Sequence, residues 1–239
     1  MTNHVILNNV EHQDIRVIRD RSAEFGDNVM GVPIMPREFR DAQNDYPIFF
    51  HKDAQHGKFQ PYAMFGLEQG ENLFLGDGTW SECYLPWVLE KGPFLIGFQE
   101  KSDGEKGLVI SLDLDHPRVS RTEGEPLFLP HGGNSNYIEK ISTVLNGIHE
   151  GQGATEGFVA AMKAHDLIES FALDVQLNNG AKHRLEGFHT VHEEKLTELE
   201  GHVLDELSSK GYLQCAYMVV ASLSNIRKLI NKKNRQLPS

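Results

Sequence analysis

The sequence predicts an α+β protein. A mainly antiparallel sheet region fills the first half, helices plus one β-hairpin fill the second, and the whole packs as one domain over residues 1–239. Three observations carry this. Short apolar runs bounded by glycine, aspartate or charged residues crowd residues 1–136, as strands do. From residue 137 onward the apolar period becomes helical. Residues 171–177 then alternate apolar and polar positions, and Asn178-Asn179-Gly180 turns the chain back through residues 181–188.

Taken in order, residues 14–18 (DIRVI) and 29–33 are short strand candidates. Pro36 suits the first turn of a helix through Gln43. Residues 47–50, 62–67, 72–75, 94–98 and 107–112 are apolar runs of strand length. Glu68-Gln69-Gly70-Glu71 joins two of them in hairpin fashion, and Gly76-Asp77-Gly78 is a tight turn. Pro86 opens a helical turn or two that Gly92 stops. Residues 121–136 are a polar connection. Ile138, Ile141, Val144, Leu145 and Ile148 then mark a helix, and residues 156–167 mark another. The glycine-rich stretch 147–157 between them reads as a mobile joint. Asn179-Gly180 fits a type I′ turn, because both residues tolerate left-handed angles. Thr190 and Glu193 match a capping box, ahead of a stripe of Leu196, Leu199, Val203 and Leu207. Gly211 ends that helix, and a largely apolar helix over residues 212–231 is expected at the centre of the core.

Composition narrows the function. Lys+Arg total 23 against Asp+Glu 34, for a formal charge of -11. Such acidity disfavours nucleic acid and anionic membranes as partners. The basic run 228–235 reads as a helix C-terminus whose cations face the negative end of the dipole. Cys83 and Cys215 are too few for a disulfide framework and read as buried free thiols. The best membrane-span candidate, residues 212–230, is broken by Gln214, Ser222, Ser224, Asn225 and Arg227, so no span is expected. The opening residues lack a basic start and a long apolar stretch, which points to the cytoplasm.

The aromatic residues concentrate between Tyr46 and Phe98, a stretch that holds both tryptophans. Its blocks YPIFF, FGLEQGENLFL, GTWSECYLPWVL and GPFLIGF resemble the SapC-like family of bacterial proteins. The carboxyl part, SFALDVQLNNGAKHRLEGFHTVHEEKL and onward through the last helix, is similar to the second half of the same family. The resemblance implies an accessory or binding protein without an assigned reaction. It would act beside halogenase or oxygenase enzymes or an outer-membrane uptake system. The family name also implies association with a bacterial surface layer, which would need a signal-independent export route to the cell surface.

Several residue groups could carry chemistry. His51 and Asp53 follow the run PIFF, and with His131 they would supply the two imidazoles and one carboxylate of a non-haem Fe(II) oxygenase. Lys140 could then face a carboxylate co-substrate. A solvated strand end is the plainer account of His51 and Asp53, and no cofactor is expected. His189 and His192 sit near the cap, and HExxH is absent. Asp113 and Asp115 could hold Mg²⁺ or simply be solvated loop carboxylates. The run 132–135 reads as helix entry rather than a phosphate loop. Trp80, Tyr84 and Trp87 combine apolar bodies with hydrogen-bonding edges, which suits a sugar, a small aromatic compound, a peptide or a partner protein. Core packing is the alternative for these rings.

Overall fold

A computed structural model of the chain describes residues 3–53, 56–76, 79–81, 83–100 and 106–237. The architecture is α+β. Its strands are β1 (His4–Ile6), β2 (Arg16–Val17), β3 (Gly31–Pro33), β4 (Ile48–Lys52), β5 (Phe59–Met64), β6 (Phe94–Glu100), β7 (Lys106–Asp113), β8 (Val119–Ser120), β9 (Glu125–Pro126), β10 (Ile168–Gln176) and β11 (Lys182–Val191). Its helices are α1 (Phe39–Ala42), α2 (Trp87–Glu90), α3 (Asn136–Ala164), α4 (Glu193–Thr197), α5 (Gly201–Ser209), α6 (Tyr212–Ser222) and α7 (Ile226–Arg235). Every strand pairing is antiparallel. The contacts divide the chain into two compact units. The smaller is Met1–Asp27, Gly76–Trp80 and Trp87–Glu150; the larger is Asn28–Leu75, Ser81–Pro86 and Gly151–Ser239. The turn expected at Gly76-Asp77-Gly78 falls mostly outside the described residues.

The smaller unit holds two three-stranded sheets, ordered β1-β7-β6 and β8-β2-β9. In the β6–β7 hairpin, Phe94 lies opposite Leu112. Both are fully buried against the α3 stripe Ile138, Ile141 and Leu145, as the helical spacing in this segment requires. Ile15, Val17, Leu127 and Phe128 complete this core. A buried polar network lies beside it. Arg118 pairs with Asp27 and donates to the carbonyls of Ile18 and Asp20, and the Ser22 amide donates to Asp27 at 2.9 Å.

The larger unit is built on a five-stranded sheet ordered β10-β11-β4-β5-β3. Phe50 of this sheet packs with Phe39 around Phe158 of α3, at ring separations of 6.0 and 5.7 Å. Tyr46 stacks edge-on against Phe65 and Phe74, at 5.0 and 4.8 Å. Residues 72–75, expected as a strand, form none; Leu73 and Phe74 lie in a turn instead. They still fold back, because Leu73 N–H donates to Phe65 C=O at 2.9 Å.

The glycine-rich stretch expected as a mobile joint is helical throughout, within the 29-residue α3. Its glycines make room for neighbours. A Cβ at Gly147 would lie 2.7 Å from the Trp87 indole, and one at Gly151 would lie 2.7 Å from Met35. Glycine weakens a helix by roughly 0.5–1 kcal/mol relative to alanine, and close packing offsets this. Gly153 has no atom within 4 Å of its Cβ position. Gly153→Ala should therefore stabilise the protein by about 0.5–1 kcal/mol, whereas Gly147→Ala should cost about 1–3 kcal/mol by overpacking against a rigid ring. Urea midpoints measure both, and effects of the same sign would refute the packing account.

The second-half hairpin forms as expected, but its turn differs. Gly180 has φ +86°, while Asn179 does not enter the left-handed region. Gly180 N–H donates to Leu177 C=O, and Leu177 N–H donates to Ala181 C=O. This is a three-residue loop with glycine in the left-handed position, not a type I′ turn. The cap also differs. Strand β11 runs on through Val191, so Thr190 is a buried strand residue and His192 caps α4 by accepting from Lys195 N–H. The final helix is interrupted by a 3-10 turn, Leu223–Asn225, where Ser222 and Asn225 are buried. The basic run does end a helix. Lys233 pairs with Glu68 and Glu71, and Lys232 lies over the Phe74 ring at 4.5 Å.

Candidate binding groove

Strand alternation sets the first wall of a groove in the larger unit. In the β4–β5 ladder Phe49 lies opposite Tyr62, and His51 lies opposite Gln60. His51, Phe49 and Tyr62 therefore share one face, while Ile48, Phe50 and Ala63 turn into the core on the other. Strand β11 brings Phe188 opposite His51. The His51 ring lies 5.8 Å from Tyr62 and 6.1 Å from Phe188, and Tyr62 lies 6.3 Å from Phe188. Tyr62 donates its hydroxyl to Gly31 C=O at 2.6 Å, and burial pushes its pKa up, so it stays neutral.

A bulge shapes the second wall. Between Phe188 and Leu185 the β11 strand has two residues where β10 has one, and Gly187 takes φ +82°. Such a bulge bends a strand and needs glycine in the left-handed position. From Lys182 to Glu186 the hairpin becomes an arm. Leu185 and Val175 bury its inner side, and Arg184 on its outer side pairs with Asp174 and Glu186 at 3.1 and 2.9 Å. Asn178 N–H at the tip donates to Asn234 of α7 at 2.8 Å. The third wall is the turn after β5. Glu71 accepts from Leu67 N–H at 2.9 Å, and Lys233 bridges Glu71 and Glu68. Bonding to Lys233 holds the Glu68 carboxyl below the usual range, helped by the charge of His183.

These walls enclose an open groove of about 510 Å³, with His51, Tyr62 and Phe188 as ring surfaces and Met30, Glu68 and His183 along its sides. Ring faces give apolar contact area with little loss of side-chain freedom, and the rim can fix orientation by charge and hydrogen bonds.

The residues singled out from sequence fall as follows. His51 is exposed in the groove. Asp53 begins the β4–β5 turn, where its carboxylate accepts from His56 N–H at 2.7 Å. His131 is exposed in a turn of the smaller unit, between Leu129 and Gly133. Lys140 pairs with Glu90. Among the described residues, no group of three or more His, Cys, Asp or Glu side chains is arranged to hold a metal ion. Tyr84 belongs to the larger unit, where both its ends are held. Its N–H donates to Asp45 at 2.9 Å, its hydroxyl donates to buried Glu38 at 2.9 Å, and its carbonyl accepts from Tyr46. Trp80 and Trp87 belong to the smaller unit, both half-buried, with the Trp87 indole against Gly147. The thiols of Cys83 and Cys215 are half-buried, and burial raises the pKa of each.

Sequence reasoning passed over Tyr62, Phe188 and the 182–187 arm. The available signal was Gly187, a glycine inside an alternating strand, which marks a bulge.

The architecture defines the class: an α+β chain whose larger unit carries an open groove against a bent strand. The chain belongs to the SapC family, which it matches over residues 7–229. No curated protein and no solved structure matches it. Among the described residues no helix is long and apolar enough to cross a membrane.

Proposed function

We propose that this SapC-family chain is a binding or accessory protein, and that the groove of the larger unit takes its ligand. The carrying observation is the convergence of the His51, Tyr62 and Phe188 rings within about 6 Å of one another beside a charged rim. Ring faces of this kind suit sugars, small aromatic compounds and peptides. In this role the protein would work in the cytoplasm beside oxygenase or halogenase enzymes or an uptake system, as the family resemblance implies.

The test is a titration of isotope-labelled protein with indole, glucose and short peptides, read by amide and ring resonances. Shifts should centre on Tyr62, His183 and Phe188. His51→Ala, an exposed change, should weaken the responding ligand by about tenfold. Shifts centred on Trp80, Tyr84 and Trp87 would instead move the site to the aromatic stretch and overturn the groove reading.

A further inference from the structure

We propose that the groove takes an extended polypeptide segment by strand addition to the free edge of β11, and that this segment carries an acidic side chain. This rests on the groove reading above and names its ligand class. Leu177 N–H bonds Ala181 C=O, so the 177/181 pair is hydrogen-bonded. In an antiparallel ladder such pairs alternate with pairs whose backbone groups point outward. His183 opposite Val175 is therefore a bonded pair, and Lys182 and Arg184 turn their N–H and C=O away from β10.

On that side β4 pairs with β11 only at Phe188 and His189. Among the described residues, the outward backbone groups of Lys182 and Arg184 have no hydrogen-bond partner. Residues 182–188 all line the groove, so this open edge forms one of its walls. An open edge recognises another backbone in extended form, whose alternate side chains then read the neighbouring pockets. The Asn178–Asn234 bond holds the tip of the arm, so the edge is presented in a fixed position.

Charge selects the side chain. Lys233 holds both Glu68 and Glu71, and Arg184 holds both Asp174 and Glu186, so each of these cations is already shared between two carboxylates. Lys182 is exposed and has no carboxylate partner among the described residues. Lys182 is thus an unpaired cation on the open edge among the described residues, and it offers a local partner to a carboxylate on a protein whose formal charge is -11. Charged residues along an open edge also discourage indiscriminate pairing, which leaves selection to a strand of opposite charge.

The probe is a capped seven-residue peptide of alternating threonine and valine with a central glutamate, compared with its central-lysine and N-methylated versions. The glutamate peptide should slow amide hydrogen exchange at Lys182 and Arg184, whose N–H groups gain partners. Methylating its bonding edge should abolish binding. Lys182→Glu should weaken it by about tenfold and favour the lysine peptide instead, since opposite charges attract and like charges repel across a ladder. Groove binding by indole or glucose, with no protection of Lys182 and Arg184 by any peptide, would overturn strand addition and leave the groove reading intact. Absence of every groove response would overturn both. Equal binding of the two charged peptides would overturn the acidic preference.

Discussion

Arg118→Met is expected to destabilise the smaller unit by about 3–5 kcal/mol, the usual cost of removing one partner from a buried ion pair. The Arg118 and Asp27 side chains are only 3% and 4% exposed. Arg118 also donates to the carbonyls of Ile18 and Asp20 and lies over the Phe25 ring at 4.6 Å. Methionine keeps much of the volume and none of the donors. Asp27 would retain Arg21 at 3.3 Å and the Ser22 amide, but lose its most enclosed partner. Urea denaturation of the single variant, of Asp27→Asn and of the double variant closes a mutant cycle. The double variant should recover part of the loss, since no buried carboxylate is then left uncompensated. A single-variant cost below about 1 kcal/mol, the range of an exposed pair, would refute the structural role.

Deleting residues 212–239 is expected to leave an aggregating product without native near-ultraviolet circular dichroism. Helix α6 buries Ala216, Met218 and Val219 in the larger unit. Its polar residues matter as much. Ser222 accepts from Ile48 N–H at 2.8 Å, and Asn225 donates to the carbonyls of Gln43 and Tyr46 at 2.6 and 3.2 Å. Without them, backbone groups at the start of β4 lose their partners, and an unpaired buried polar group costs about 1–3 kcal/mol. The same cut removes Lys233 from Glu68 and Glu71, and with it the tie on one groove wall. The uncovered apolar face should then associate nonspecifically. A soluble truncated protein with native near-ultraviolet bands would refute this account.

The sequence was most legible where structure is local. Alternation gave the second-half hairpin, the spacing of Ile138, Ile141 and Leu145 gave the buried face of α3, and Pro36 gave the helical turn before α1. The aromatic blocks identified the family, which the match over residues 7–229 establishes. Each of these signals lies within one segment, where side-chain period and backbone geometry are coupled.

Tertiary structure decided the rest. Local propensity reads residues 147–157 as a joint, yet Trp87 and Met35 pack into the space its glycines leave, and α3 continues. Thr190 looks like a cap until β11 extends past it and His192 takes the role. Ser222 and Asn225 interrupt an apolar pattern, and each answers a backbone group nearly 180 residues away. The groove depends on the same kind of distance. Met30, His51, Tyr62 and Glu68 meet residues 182–188 only because β11 pairs with β4 and a bulge at Gly187 bends the arm. Register and the bend fix which side chains meet there, and both are set by pairing between distant strands, which no window along the chain contains.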